Sequence, residues 1–419
     1  MSAARKQWPL KRIGELATVA RGSSPRPIAD QRYFEGGDIP WIKIADATKS
    51  GKYLYQTKEH VNEYGASFSR RLPIGSLIVA ASGTLGYTQM LGISGCVHDG
   101  WLYLTDFRGV DKHYLYYFFQ WKKEHFYNSA YGAAIQNINT EILRETDIAL
   151  PPLPVQQRIA SILSAYDDLI ENNTRRIENL EEMAQMLYRE WFVNFRFPGH
   201  EQVRMVESEL GSIPKGWTVC GLKDVTSFIS RGISPTYDDS ADGWIINQKC
   251  IRDRRLNLGP ARRQSKPVPS EKVVRKGDIL INSTGVGTLG RVAQVQHEVS
   301  NITVDSHVTI VRPSQHPDYI GEVAFELEPT FEAMGVGSTG QTELGRERIG
   351  GIMFVCPPEP LQSAFSGHAS PLHQLVVLLL GKNENLRATR DFLLPKLISG
   401  EIPVEAAEEA AAELVAQPA

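Results

Sequence analysis

Apolar residues recur along this chain with two different periods, and the change from one to the other marks its parts. From Ile159 to Trp191 the sequence places Leu163, Tyr166, Ile170, Asn173, Ile177, Leu180, Ala184 and Leu187 at alternating steps of four and three. One seam held for more than four heptads predicts a coiled-coil helix. At 1.5 Å per residue, 159–191 would span roughly 50 Å. Asn173 is the polar member of the seam, a residue type that sets register when buried. "NFRFPGHE" then ends the helix at Pro198 and Gly199. A second stripe, Leu372, Val376, Leu379, Leu386, Leu393 and Leu397, keeps similar spacing, but Asn383 and Arg390 interrupt it and Gly381 weakens it. If a two-fold axis relates the halves, the two helices pair antiparallel and each covers the other's stripe.

Elsewhere the apolar runs are short. "SLIVAASG", "DILINSTG" and "VTIVRP" are punctuated by Gly, Pro, Asn and Ser, and read as strands and turns. These runs occur twice. "RGSSP" at 21–25 returns as "RGISP" at 231–235, and "IPWIKIAD" at 39–46 faces "GWIINQKCIRD" at 243–253 with Trp41 opposite Trp244. "LPIGSLIVAASGTLG" at 72–86 faces "VRKGDILINSTGVGTLG" at 274–290, and "LPPLPVQQ" at 150–157 faces "CPPEPLQS" at 356–363. The order never changes over a period of about 205 residues, too long for a solenoid repeat. The expected fold is α/β in the α+β sense, with two mostly-β domains alternating with two long helices in a pseudo-two-fold repeat. Expected boundaries are 1–150 for the first domain, 151–200 for the first helical spacer, 201–356 for the second domain and 357–402 for the second spacer. The acidic end, 403–419, is expected to be disordered. Trp41 and Trp244 are expected in the cores.

Composition changes this picture little. The chain has 419 residues, a formal net charge of -3 and four cysteines. Cys96, Cys220, Cys250 and Cys356 stand too far apart for a CxxC pair and read as reduced thiols of a cytoplasmic protein. The longest apolar run, "LVVLLL" at 375–380, falls far short of a membrane span, and no secretory signal is expected at "MSAARKQWPLKR". The distribution of charge is more informative than its sum. Residues 245–291 hold eleven Lys and Arg against Asp253, Glu271 and Asp278, a balance of +8, inside an otherwise acidic chain. A basic block of this kind is either a solvated loop or a surface for phosphate.

Catalytic chemistry is missing. Gly285-Val286-Gly287-Thr288-Leu289-Gly290 matches GxGxxG but is followed by "RVAQVQ", which reads as a strand rather than the helix a pyrophosphate would need. A second match runs from Gly335 to Gly340. There is no P-loop, and the ten histidines show no zinc-like spacing. Pro317-Asp318 with Glu322 lacks the lysine of a nuclease centre, and "LPPLP" and "CPPEP" lack the flanking residues of an amino-methyltransferase loop. No catalytic residue and no metal ligand is expected.

With the duplicated plan in view, "IALPPLPVQQRIASIL" at 148–163 and "TRDFLLPKLISGEI" at 389–402 carry a resemblance. The chain resembles a Type I restriction–modification specificity subunit over nearly its whole length. It departs from that family at "PEPLQSAFSGHASPLHQLVVLLLGKNE", where a more polar copy of 152–176 would be expected. The resemblance implies two target-recognition domains spaced by an antiparallel coiled coil. It implies a non-catalytic subunit that reads a bipartite site in double-stranded DNA and docks two modification (adenine methyltransferase) subunits, with restriction (endonuclease/translocase) subunits joining peripherally. S-adenosylmethionine, ATP and Mg would belong to those partners and none to this chain. A different class remains open, a coiled-coil scaffold that does not read DNA.

Candidate DNA-contacting residues are polar or basic side chains on loops of the matched blocks, because Arg and Lys suit guanine O6 and N7 while Asn and Gln suit adenine. In the first domain these are Arg21, Ser23, Lys43, Ser82, Thr84 and Gln136. In the second they are Arg231, Ser234, Gln248, Lys249, Arg252, Arg254, Asn282, Ser283, Thr284 and Gln341. The candidate partner-docking and seam residues are Ile159, Leu163, Tyr166, Ile170, Asn173, Ile177, Leu180, Leu187 and Trp191, with Leu379, Leu386 and Leu393 in the second helix.

Overall fold

The computed structural model describes residues 8–47, 50–131, 137–335 and 343–409. Gln136, Gln341, most of the second GxGxxG match and the last ten residues lie outside them. The chain divides into two compact units, 1–174 with 382–419, and 175–381. The long helices are therefore not separate bodies, since each contributes one part to each unit.

In the first unit a five-stranded sheet runs in the order Thr18–Arg21, Trp101–Thr105, Leu77–Ala80, Thr88–Leu91 and Tyr53–Leu54. Side chains alternate along a strand, and Leu77–Ala80 uses both directions. Leu77 and Val79 face a core shared with helix Lys112–Tyr131 and both long helices, whereas Ile78 and Ala80 face a core with Trp101, Ile42 and Val97. Ile42 and Val97 come from a second sheet, Glu59–Val61, Ile39–Ile42, Gly95–Val97 and Arg70–Leu72. The strand is buried on both faces, which is why "LIVA" reads as a continuous apolar run.

The second unit repeats this plan. Its four-stranded sheet runs Thr226–Arg231, Val308–Pro313, Ile279–Asn282 and Val292–Gln294, and its three-stranded sheet runs Arg262–Gln264, Gly243–Ile246 and Ile302–Val304. Ile279 and Ile281 point into one core and Leu280 into the other. In both units the strand bearing the tryptophan runs parallel to one neighbour, Trp41 beside Cys96 and Trp244 beside Ile302. Trp41 is fully buried, while Trp244 is half-buried beneath the Arg263 guanidinium, 4.5 Å from the ring centre. An antiparallel ribbon closes each unit just before its double proline, Leu10–Arg12 with Asp147–Ala149 and Thr218–Gly221 with Met353–Cys356.

The long helices are Leu153–Tyr188, extended by a wider turn at Arg189–Val193, and Glu359–Ile398. Within the first unit they run antiparallel. Arg158 meets Glu405 and Glu408, Asp167 meets Arg390, and Asn173 meets Asn383. Within the second unit Ile177 packs with Val376 and Leu379, and Trp191 meets Phe365. The two residues that break the second apolar stripe are thus the polar partners of the first. Asn173 Nδ2 donates to Asn383 Oδ1 at 2.9 Å, and the Arg390 guanidinium holds Asp167 at 2.5 Å. Tyr117 hydroxyl donates to the same Asp167 at 2.6 Å, and buried Lys52 bonds Ser164 at 2.5 Å, its ammonium pKa lowered by desolvation. These contacts fasten the β part of the first unit to its helices.

The acidic end departs from expectation. Residues 404–409 are helical, Val404 and Ala407 are buried in the first unit's core, and Glu405 and Glu408 clasp Arg158. Four glutamates without a lysine in 403–419 suggested a solvated tail, but Arg158 sits 250 positions upstream of its partner Glu408.

Candidate nucleic-acid interface

The repeated loop is built the same way twice. Strand Thr18–Arg21 delivers it to Gly22, whose amide donates to Trp101 carbonyl at 2.9 Å, and Ser23 amide donates to Val97 carbonyl at 3.2 Å. A Cβ at Gly22 would stand 2.4 Å from His98 carbonyl oxygen, and at Gly232 1.8 Å from that of Val304. Only glycine permits this approach of backbone to backbone. The two copies of RG-S-P text therefore record a shared crossing between the two sheets of each unit.

The arginine before each glycine is anchored within its own unit. Arg21 Nε donates to Asp99 carbonyl at 2.7 Å, and Asp99 also receives Ser24 Oγ at 2.9 Å and the Arg26 guanidinium. Hydrogen bonds from Ser24 and the charges of His98 and Arg26 outweigh burial and hold the Asp99 carboxyl below its usual range. Arg231 donates to Leu344 carbonyl at 3.0 Å and pairs with Glu343 at 2.5 Å. It opens a cleft of about 520 Å³ with Lys272, Arg346 and Arg348 on its walls.

The other candidates divide by burial. Asn282 and Ser283 are fully buried, so neither can meet DNA: Asn282 Nδ2 donates to Gln248 carbonyl and Ser283 Oγ shares a 2.5 Å bond with Thr309 Oγ1. Asn282 ends a strand whose every position is enclosed and Ser283 follows it, which a polar "NST" run did not reveal. Gln248 Nε2 donates to Thr284 Oγ1 at 2.8 Å, and that oxygen lies 2.8 Å from His307 Nδ1. Lys43 pairs with Glu59 at 2.5 Å, and Arg254 lies over Phe325 and near Glu328. Ser23 and Ser82 are half-buried, while Arg21, Thr84, Ser234, Lys249 and Arg252 are exposed.

Arg252 stands at a two-residue turn between Ile251–Arg252 and Arg255–Leu256. Asp253 and Arg254 at its centre have φ of 53° and 59°, the mirror-image geometry that Asn-Gly ordinarily supplies. Keeping Asp and Arg there is a local strain of about 1 kcal/mol per residue, of the kind that gathers at functional loops. Spacing alone could not find the stacked pairs nearby. Arg262 lies 3.5 Å from the centre of the exposed Tyr237 ring, a contact made by a fold that brings residues 25 positions apart together.

Among the described residues no group of His, Cys, Asp or Glu is arranged to hold a metal ion, and no helix is long and apolar enough to cross a membrane. The GxGxxG at 285–290 leads into strand Val292–Gln294, as its sequence indicated. Every distinctive feature lies on the loops of two like units, and the helices carry apolar seams and internal ion pairs. This is the build of a duplicated two-sheet protein in which each unit contains a stretch of both long helices.

Residues 5–182 match the family model described as the Type I restriction modification DNA specificity domain. The chain is 27% identical over 418 residues to the Type I restriction enzyme MjaIX specificity subunit of Methanocaldococcus jannaschii, covering 96% of this chain and 94% of that one. It is 29% identical over 193 residues to a putative specificity subunit of Haemophilus influenzae, covering 44% and 49%. Among solved structures, the Type-I restriction-modification system S subunit from M. genitalium has the same fold, with a TM-score of 0.60 at 17% identity over 95% of this chain and 97% of that one. The chain is thus similar over nearly its whole length to specificity subunits of Type I restriction–modification systems.

Proposed function

We propose that this subunit reads a two-part site in double-stranded DNA, one half through the loops of each unit, and that its helix pair sets the spacing and docks two adenine-methyltransferase subunits. Restriction subunits join the same assembly, and S-adenosylmethionine, ATP and Mg are held by those partners. The observation that carries the reading is the duplication itself: one fold and one loop anchor used twice, with different exposed side chains on each copy. Two like readers with unlike surfaces suit two half-sites of different sequence. The basic surface of the second unit supplies phosphate contact, which positions without specifying. Arg252 and Lys249 on exposed turns have the chemistry to pair with guanine edges. Half-sites facing one way along a duplex recur about every 34–36 Å, and a 36-residue helix is about 54 Å long, a spacer of that order.

The test is single-molecule sequencing of adenine methylation in cells with and without this chain. Loss of methylation at one bipartite motif on deletion is the expected result. Unchanged methylation, with no salt-dependent DNA binding by the purified chain, would leave a scaffold that reads no DNA.

A further inference from the structure

The two units differ where the same short segment flanks the repeated loop. In the first unit that segment is "NEYGASFS", 62–69, which enters strand Arg70–Leu72 beside Gly95–Val97. In the second it is "SKPVPSE", 265–271, ahead of residues that lie along Ile302–Val304 in the same way. There Val274 amide donates to Ile302 carbonyl and Thr303 Oγ1 to Lys272 carbonyl. Both segments hold the loop. Ser69 Oγ donates to Ser23 carbonyl at 2.7 Å in one, and in the other the ammonium groups of Lys266 and of Lys272, the residue just after the segment, donate to Ser234 and Gly232 carbonyls at 3.0 Å.

Both turn serine and a glutamate to solvent, but their larger exposed side chains differ. Tyr64 and Phe68 are 52% and 46% exposed although both are large and apolar. Their rings meet edge to face with centres 5.2 Å apart, and both rest on buried Tyr33, Tyr64 stacked at 5.5 Å and Phe68 edge-on at 5.5 Å. Tyr33 hydroxyl in turn donates to the carbonyl of Arg26, at the end of the repeated loop. The rings are thus held rigidly on a buried base beside that loop. In the second unit the same place offers lysine.

We propose that the Tyr64–Phe68 pair is the first unit's apolar contact with duplex DNA, occupying the position that lysines occupy in the second; this rests on the DNA-reading function above. A ligand common to both copies must accept aromatic faces in one and ammonium groups in the other. Duplex DNA does so, offering sugars and base edges to the rings and phosphates to the lysines. Arginines flank the ring pair, as phosphate requires. Arg70 is exposed and has no ion pair among the described residues, and the Arg71–Glu63 pair is exposed enough to exchange for phosphate at little cost. The ring pair itself therefore adds little salt dependence, whereas a lysine in its place adds more.

The experiment uses the full chain and a duplex that the wild-type chain enriches from a random-sequence pool, with binding followed between about 50 and 200 mM salt. Tyr64→Ala/Phe68→Ala is expected to bind about tenfold more weakly, with the slope of log K on log salt unchanged. Lys266→Gln is expected to reduce that slope by about 1. Phe68→Leu keeps an apolar group over Tyr33, so the fold is preserved, and should show part of the loss. A ring variant that binds like the wild type overturns the inference. So does one that keeps its DNA affinity but no longer co-purifies with a methyltransferase subunit, which would make the patch a protein-docking surface. Failure of the wild-type chain to enrich any duplex overturns the DNA reading itself, and this inference with it.

Discussion

Replacing Asn173 by Leu tests whether the helix seam is a coupled polar pair or a tolerated imperfection. Asn173 and Asn383 are 8% and 1% exposed. Asn383 Oδ1 accepts from Asn173 Nδ2 at 2.9 Å, while its own Nδ2 donates to Ile170 carbonyl and Thr174 Oγ1 at 3.3 Å. Asn173→Leu leaves a buried amide oxygen without a donor, a cost of about 1–3 kcal/mol. Asn383→Leu leaves the opposite donor unmatched at a similar cost. Replacing both removes the orphan and adds apolar contact, so the double variant should lie within about 1 kcal/mol of wild type. The pair then shows a coupling of at least about 1 kcal/mol in the mutant cycle. A chain of two units does not unfold in one step, so the readout is native-state hydrogen exchange of helix amides around 173 and 383 in rising urea. If the double variant loses as much as the two single variants summed, the asparagines do not act as a unit and the seam is solvated at that point.

Other outcomes follow from the same structure. His373 bonds Asp318 at 2.8 Å and Glu322 at 3.3 Å; burial opposes its charge, but the two carboxylates outweigh burial and raise its pKa to about 9. Its contribution of about 3 kcal/mol is complete below pH ~6.5 and is lost as pH rises through ~9, so urea unfolding of the second unit should weaken across that window and His373→Gln should abolish the dependence. Ile177→Asp places a carboxylate among Val376 and Leu379 at a cost of several kcal/mol, and co-purification with methyltransferase subunits should fall; wild-type yield would mean the seam is not needed for docking. Four residues inserted in both helices where the units divide, after Thr174 and after Gly381, add about 6 Å of rise and a net turn near 40°. Methylation mapping should then find both half-sites with a spacer longer by about one or two base pairs, and unchanged spacing would show that the helices do not set it.

The sequence by itself determined the duplication, the strand-rich units and the long helices, because these depend on spacing along the chain. Ile159 to Trp191 keeps one face at steps of four and three whatever lies opposite, and "LIVA" is apolar throughout because its strand is covered on both sides. The repeated RG-S-P text was also visible, although its cause was not. Gly22 and Gly232 recur because a backbone carbonyl at or just past the end of another strand approaches within 2.4 Å and 1.8 Å of the space a Cβ would take. Only the tertiary structure decided which polar residue answers which. Asn383 and Arg390 looked like faults in a stripe until the antiparallel helices set them against Asn173 and Asp167, 210 and 223 positions away. Glu405 and Glu408 looked like part of a free tail until Arg158 was placed beside them. Asn282 and Ser283 had the composition of a surface loop and lie at the enclosed end of a strand. Period is a local property of the chain, whereas pairing and burial depend on residues hundreds of positions apart, brought together only when the whole chain has folded.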